Sequence, residues 1–246
     1  MLKTNDVKLA AFDIDGTLST GVLSLALLEK LVERGLFSHA MFQKLHDLEV
    51  DYANGKLGRE EMSGLWLANY LQAMKGNDPE KYIETGREVW AESRKNTFAF
   101  VQPLLSKLTE SGYTTLVISA SPDEIVRYFC EANSFTPDRF RATKVQVDEF
   151  GKYTDQAEVN LSLAKHKREQ LNNLASNLFP NQEVNWQASL GMGDSYSDIE
   201  MLKAIGKPVV MKESNRDPND LVKVAEENNW TIVDETNALE KILALI

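Results

Sequence analysis

Cysteine is nearly absent from this chain: Cys130 is the only one among 246 residues. No internal disulfide can form, a zinc site built on thiolates is excluded, and a reducing compartment is expected. Histidine is almost as scarce, and His39, His46 and His166 are too dispersed to suggest a metal site. Basic residues are outnumbered, with 27 Lys and Arg against 37 Asp and Glu, a net charge of -10. That balance speaks against a nucleic-acid partner, because neutralising phosphates takes clustered Lys and Arg. No run approaches the ~20 apolar residues of a membrane span. The opening residues, MLKTNDVKL, contain no apolar segment of signal-peptide length. A cytoplasmic, soluble protein without a membrane partner is expected. Internal repeats, low-complexity tracts and long charge runs are also missing.

What the chain does have is short apolar runs separated by helical patterns. Residues 7–12 (VKLAAF) end abruptly at Asp13, as a buried strand delivering a polar loop would. Residues 113–118 (YTTLVI), 188–192 (ASLGM), 207–211 (KPVVM) and 230–233 (WTIV) read as further strands. Helical patterns follow them over 122–132, 161–178, 198–205, 220–227 and 238–246. Strand and helix in alternation imply a parallel sheet covered on both faces, a Rossmann-like three-layer α/β/α core.

Residues 20–96 differ. Leu23, Leu27 and Leu31, then Met41, Leu45 and Leu48, then Met62, Trp66, Tyr70 and Met74 recur at helical spacing. No convincing strand occurs there, and the first proline in the chain is Pro79, behind Asp78 as a helix start. The expected organisation is a core of residues 1–19 and 97–246, with an all-helical cap domain, 20–96, inserted after the first strand.

The chemistry begins at Asp13-Ile14-Asp15-Gly16-Thr17, where the first strand should end. Ligands of open parallel sheets bind beyond the carboxyl ends of the strands. Two carboxylates flanking Ile14 can both serve a site there. Gly16 permits the close approach of a tight phosphate-binding loop. Mg²⁺ favours a few oxygen ligands together with water and substrate phosphate. One carboxylate can act as nucleophile and the other as acid, then base.

Three more pieces follow in order. Ser119 ends the YTTLVI strand and can donate to a phosphate oxygen, with the backbone from Ala120 onward assisting at a helix start. Ser121-Pro122-Asp123-Glu124 has the capping-box pattern, so Ser121 is expected to cap that helix. A lysine on the helix over 161–178 would neutralise the aspartates. Lys165 and Lys167 are both candidates, and Leu171 and Leu174 favour Lys167 by placing it on the sheet-facing side. Finally, Gly193-Asp194-Ser195-Tyr196-Ser197-Asp198 follows the ASLGM strand; Ser197 with Glu200 is a second possible capping box.

Asp13-Ile14-Asp15-Gly16-Thr17-Leu18, with Ser119, Lys167 and the GDSYSD segment, resembles the signatures of the haloacid dehalogenase-like (HAD) superfamily. The resemblance implies that Asp13 attacks phosphorus to form an aspartyl-phosphate. Asp15 then protonates the leaving group and activates water. Ser119, Ala120, Gly16 and Thr17 are implied to bind substrate. Asp13, Asp15, Asp194 and Asp198 are implied to hold Mg²⁺, with Asp198 also orienting the cluster.

The segments DEFGKY (148–153), KPVV (207–210) and 217–221, with Trp230, are similar to the phosphoserine-phosphatase-like branch, which carries a helical cap. Two departures argue against phosphoserine as substrate. Leu18-Ser19-Thr20-Gly21-Val22 lacks the glutamate with which that branch reads an ammonium, and Ser119-Ala120-Ser121 replaces serine-glycine-glycine. The expectation is thus a phosphomonoester phosphatase acting on a small phosphorylated metabolite. Its rivals are a receiver-like or sensor protein phosphorylated on aspartate, or a phosphoserine phosphatase proper.

Overall fold

A computed structural model describes residues 6–212 and 220–246. Residues 217–219, part of the 217–221 resemblance, lie outside the described residues. The strands are β1 (Lys8–Phe12), β2 (Tyr113–Pro122), β3 (Phe140–Val147), β4 (Tyr153–Val159), β5 (Leu190–Gly193), β6 (Lys207–Met211) and β7 (Thr231–Val233). They form one sheet in the order β4-β3-β2-β1-β5-β6-β7. Every pairing is parallel except β3 with β4. Phe12 stands in register with Val117 on one side and Met192 on the other, so β1 and β5 end nearly level while β2 runs on beyond them to Pro122. The strand order reverses about β1, and such a reversal opens a crevice at the carboxyl edge.

The helices explain why both faces of β1 are apolar. Ala10 and Phe12 join a core with α1 (Leu23–Glu33), α4 (Pro79–Ser93), α5 (Val101–Glu110) and α6 (Asp123–Ala132). Leu9 and Ala11 face the opposite way, toward α7 (Ala164–Leu178), α8 (Ile199–Lys203) and α9 (Asp220–Glu227). Alternate side chains of one strand thus hold two helical layers. The last helix is α10 (Ala238–Leu243).

Between β1 and α5 the chain forms α1, α2 (His39–Ala53), α3 (Arg59–Met74) and α4. Their apolar stripes do not enclose a core of their own. Leu27, Leu31, Tyr82 and Trp90 belong to the same apolar cluster as Phe12 of β1 and Phe129 of α6. The closest approach is at Gly86, where an added Cβ would lie 1.9 Å from the backbone oxygen of Glu124. Backbone cannot yield as a side-chain tip can, so Gly86→Ala must lift α4 off α6. A cost of about 1–3 kcal/mol is expected, typical of overpacking. At Gly64, on α3, nothing lies within 4 Å. Gly64→Ala there is expected to stabilise by about 0.5–1 kcal/mol. Urea denaturation of both variants checks the contrast; equal effects would mean that α4 is not seated on α6 in this way.

The antiparallel β3–β4 hairpin is absent from the sequence expectations, because its strands alternate weakly and carry many polar residues. Its turn is built by Asp148, whose Oδ1 accepts the amides of Phe150 (2.9 Å) and Lys152 (2.8 Å), and by Gly151 at φ 73°. β2 continues past Ile118 to Pro122, and the helix expected over 198–205 is a 3-10 turn, Tyr196–Asp198, followed by α8.

Candidate active site

The turn after β1 is closed by its own backbone. The amides of Thr17, Leu18 and Ser19 all donate to the oxygen of Ile14, at 3.0, 2.8 and 3.1 Å. Gly16 adopts φ +77°, and a Cβ there would meet Asp194 Oδ2 at 2.3 Å. Glycine is therefore required for conformation and for space. Beyond this turn the chain crosses into the helical segment and later returns beside it, with Thr20 N donating to Asn96 O (2.9 Å) and Phe98 N to Leu18 O (3.0 Å).

Lys167 is the hub of the site. The ammonium is 2.8 Å from Asp13 Oδ1 and 2.7 Å from Asp198 Oδ1, with only 1% of the side chain exposed. Lys165, two residues earlier, is exposed, so the helix face favoured by Leu171 and Leu174 separates the two lysines. Burial alone would lower the Lys167 ammonium, but attraction to Asp13 and Asp198 outweighs it and holds it above its usual value.

Asp198 is almost fully engaged. Its Oδ2 accepts the amides of Asp194 (3.2 Å) and Ser195 (3.1 Å), while Oδ1 holds Lys167. Ser195 and Asp198 form the capping box of this turn. The expected Ser197–Glu200 box is therefore corrected: Glu200 pairs with Lys203 at 3.0 Å instead. Gly193 lets Asp198 fold back, since a Cβ there would lie 2.5 Å from the Asp198 carboxyl carbon.

Three carboxylates, those of Asp13, Asp194 and Asp198, each place an oxygen within 4.8 Å of the others. Burial raises the Asp13 carboxyl to about 7; Lys167 opposes the shift, and Asp198 and Asp15 add to it by repulsion. Burial likewise pushes Asp194 well up, with further repulsion from Asp198 and Asp13. Hard oxygen donors, crowded and buried beside a single ammonium, suit a hard divalent cation. Asp13 and Asp194 fit it as direct ligands, whereas Asp198 is already committed to Lys167 and two amides.

Asp15 stands apart from that group. Its Oδ1 accepts the amide of Leu23 at 2.8 Å, and its Oδ2 accepts the hydroxyl of Ser121. Burial raises its carboxyl, against those two hydrogen bonds. Ser121 is accordingly not a helix cap, which corrects the expectation. The α6 N-cap position is Pro122, without a side-chain cap, and the Ser121 hydroxyl also accepts Ser24 N at 3.1 Å. A carboxylate acceptor outcompetes the neutral amide that a cap would satisfy. Ser119 is buried, and its Oγ accepts Ser121 N at 3.2 Å. Ala120 and Gly16 line the cavity over the site, while Ser119 and Thr17 lie behind its wall.

That cavity, of about 340 Å³, has Asp13, Asp15, Lys167 and Asp194 on one side. Val22, Glu49, Met62, Trp66 and Leu67 of the helical segment lie on the other. These five were not foreseen as site residues. Met62 and Trp66 share a helical stripe in the sequence, and a stripe of that kind does not say whether it faces core or cavity.

A model of the haloacid dehalogenase-like hydrolase family matches residues 10–203. The chain belongs to that family. No curated protein sequence matches it. Among solved structures, a protein of unknown function from Bordetella pertussis Tohama I has 18% identity and a TM-score of 0.76, covering 94% of this hydrolase and 100% of that chain. A phospho-aspartyl intermediate analogue of phosphoserine phosphatase has 20% identity and a TM-score of 0.66, covering 98% and 100%. A HAD family hydrolase from Salmonella enterica has 18% identity and a TM-score of 0.66, covering 93% and 67%. At these identities the likeness is one of fold, and the hydrolase shares with them the sheet that brings its motifs to one edge. Among the described residues, no helix is long and apolar enough to cross a membrane.

Proposed function

We propose that this hydrolase is a Mg²⁺-dependent phosphomonoester phosphatase that works through an aspartyl-phosphate on Asp13. The observation that carries this reading is the placement of Asp13 between Lys167 at 2.8 Å and the Asp194 carboxylate, in a cavity of small-molecule size. Mg²⁺, held by Asp13 and Asp194, would supply charge neutralisation for the phosphoryl oxygens. Asp13 attacks phosphorus as the bond to the leaving oxygen breaks. Asp15, whose carboxyl is raised by burial and so holds a proton more readily than an exposed one, delivers it to that oxygen. The same carboxylate then takes a proton from the water that hydrolyses the acyl phosphate, returning Asp13 to its starting state. Ser121 and Leu23 N aim Asp15 for both transfers. Lys167, fixed by Asp198, stabilises charge near Asp13 without moving.

The expected result of assaying a panel of phosphomonoesters with Mg²⁺ is phosphate release together with transient labelling of the protein. The label should be sensitive to hydroxylamine, as an acyl phosphate is. No release from any ester would reject the phosphatase reading. A label decaying over minutes, with little turnover, would favour the phospho-accepting sensor instead.

A further inference from the structure

The two sides of the cavity differ in charge. On the sheet side, acids are matched by Lys167 and by the cation their donor set suits. Among the described residues, Glu49 is the only charged one lining the helical side of the cavity, and neither Lys nor Arg joins it there. Three cations of that segment have partners outside the lining, Arg59 lying at the Ser195–Ser197 rim. The Arg59 guanidinium lies over the rings of Tyr52 (5.0 Å) and Tyr196 (5.3 Å), Arg34 reaches Thr85 and Glu88, and Lys75 pairs with Asp155 at 2.7 Å. Glu49 is thus an acid facing the space that a leaving group would fill.

Beside it stands Trp66, one turn along α3 from Met62 and stacked on Tyr70 with ring centroids 5.5 Å apart. That stack holds the indole, and its N–H donates to the Glu49 carboxylate, leaving a ring face for other contacts. His46, exposed like Glu49, stands one turn earlier on α2. A carboxylate beside an indole held in place is a pairing that recognises organic ammonium groups, by charge and by the ring face. Beside Ser24 and Ser63, the side chains of Val22, Met62 and Leu67 give this wall an apolar part that suits the carbons joining an ammonium to a phosphate. No Lys or Arg of the helical segment lines the cavity among the described residues, and Glu49 would repel a carboxylate on the substrate.

We infer that the leaving group is a small alcohol bearing an ammonium and no carboxylate, and that Glu49 is its counter-ion, with Trp66 beneath it. The inference rests on the phosphatase reading and narrows its substrate class. Part of the closing experiment is independent of turnover, so the two can fail separately.

In the presence of Mg²⁺, kcat/KM is compared for 2-(trimethylammonio)ethyl phosphate, 2-aminoethyl phosphate, 3,3-dimethylbutyl phosphate (the neutral isostere of the first) and phosphoserine. At least one ammonium ester is expected to exceed the neutral isostere and phosphoserine by tenfold or more, chiefly through KM. In Glu49→Gln the ratio to the neutral isostere should fall to about twofold or less. Equal values in the wild type would overturn the substrate class. A ratio that survives in Glu49→Gln would overturn the role of Glu49.

The same esters are titrated calorimetrically into Asp13→Asn, with and without Glu49→Gln. If no ester is hydrolysed, the phosphatase reading fails, and the ammonium preference stands or falls on this binding alone. Were Glu49 merely a brace between α2 and α3, Glu49→Gln would lower Tm and leave the selectivity ratio in place, which also overturns the proposal.

Discussion

Asp13→Asn is expected to lower phosphate release by at least about 10⁴-fold, the scale seen when a nucleophile acting as part of a unit is removed. The substitution is nearly isosteric, so the loss is chemical. Asp13 continues β1 directly, and its amide donates to Met192 O at 3.0 Å, which pins the residue between two strands. An amide in that position cannot attack phosphorus, and hydroxylamine-sensitive labelling should disappear with it. Steady-state phosphate release and acid-quenched labelling measure the two effects. Turnover within tenfold of wild type would show that Asp13 is not the nucleophile. Asp15→Asn should behave differently, because Asp13 survives while the proton carrier is lost. Label should then persist longer than in the wild type, as water attacks without a base.

Much of this site was legible in the sequence because its parts are tied to strand ends. An apolar run that stops at an acid locates Asp13, and the parallel register of β1 with β2 and β5 brings Ser119 and Asp194 level with it. Lys167 was legible for a different reason: helical periodicity sets it on the face of Leu171 and Leu174, and that face is buried. Helix caps were less legible. Both Ser121 and Ser197 carry valid capping patterns, yet a local pattern cannot register a distant carboxylate such as Asp15 competing for the hydroxyl. The wall formed by Glu49 and Trp66 was not legible at all. It depends on how α2 and α3 sit over the sheet, and periodicity leaves that rotation open. The shared core was hidden for the same reason, since Gly86 gives no sign in the sequence that another helix backbone rests against it.

Lys167→Met should have the largest effect on stability. Its ammonium is the cation shared by Asp13 and Asp198, and all three side chains are at most 6% exposed. Methionine fills a similar volume without charge and leaves two buried carboxylates facing each other. Removing one partner of a buried ion pair costs about 3–5 kcal/mol, because the remaining charge stays desolvated. Urea denaturation without added metal should show that loss, and Mg²⁺ should restore part of it by supplying positive charge to Asp13 and Asp194. Turnover is expected to fall about 10²- to 10³-fold even where the protein remains folded, as when one preorganised electrostatic donor is removed. Lys165→Ala should leave stability and turnover as they are, because that ammonium is exposed on the other face of α7. Comparable losses from both lysines would mean that α7 is rotated relative to the sheet. No loss from Lys167→Met would mean that Asp13 and Asp198 do not share a buried cation. The two carboxylates pull on one ammonium from different strand ends, so Lys167 couples Asp13 to the loop that carries Asp194. A metal-free Lys167→Met protein should therefore lose the capping turn at Ser195–Asp198 before it loses the sheet. Hydrogen exchange at the amides of Asp194 and Ser195, which Asp198 accepts at 3.2 and 3.1 Å, would report that loosening first.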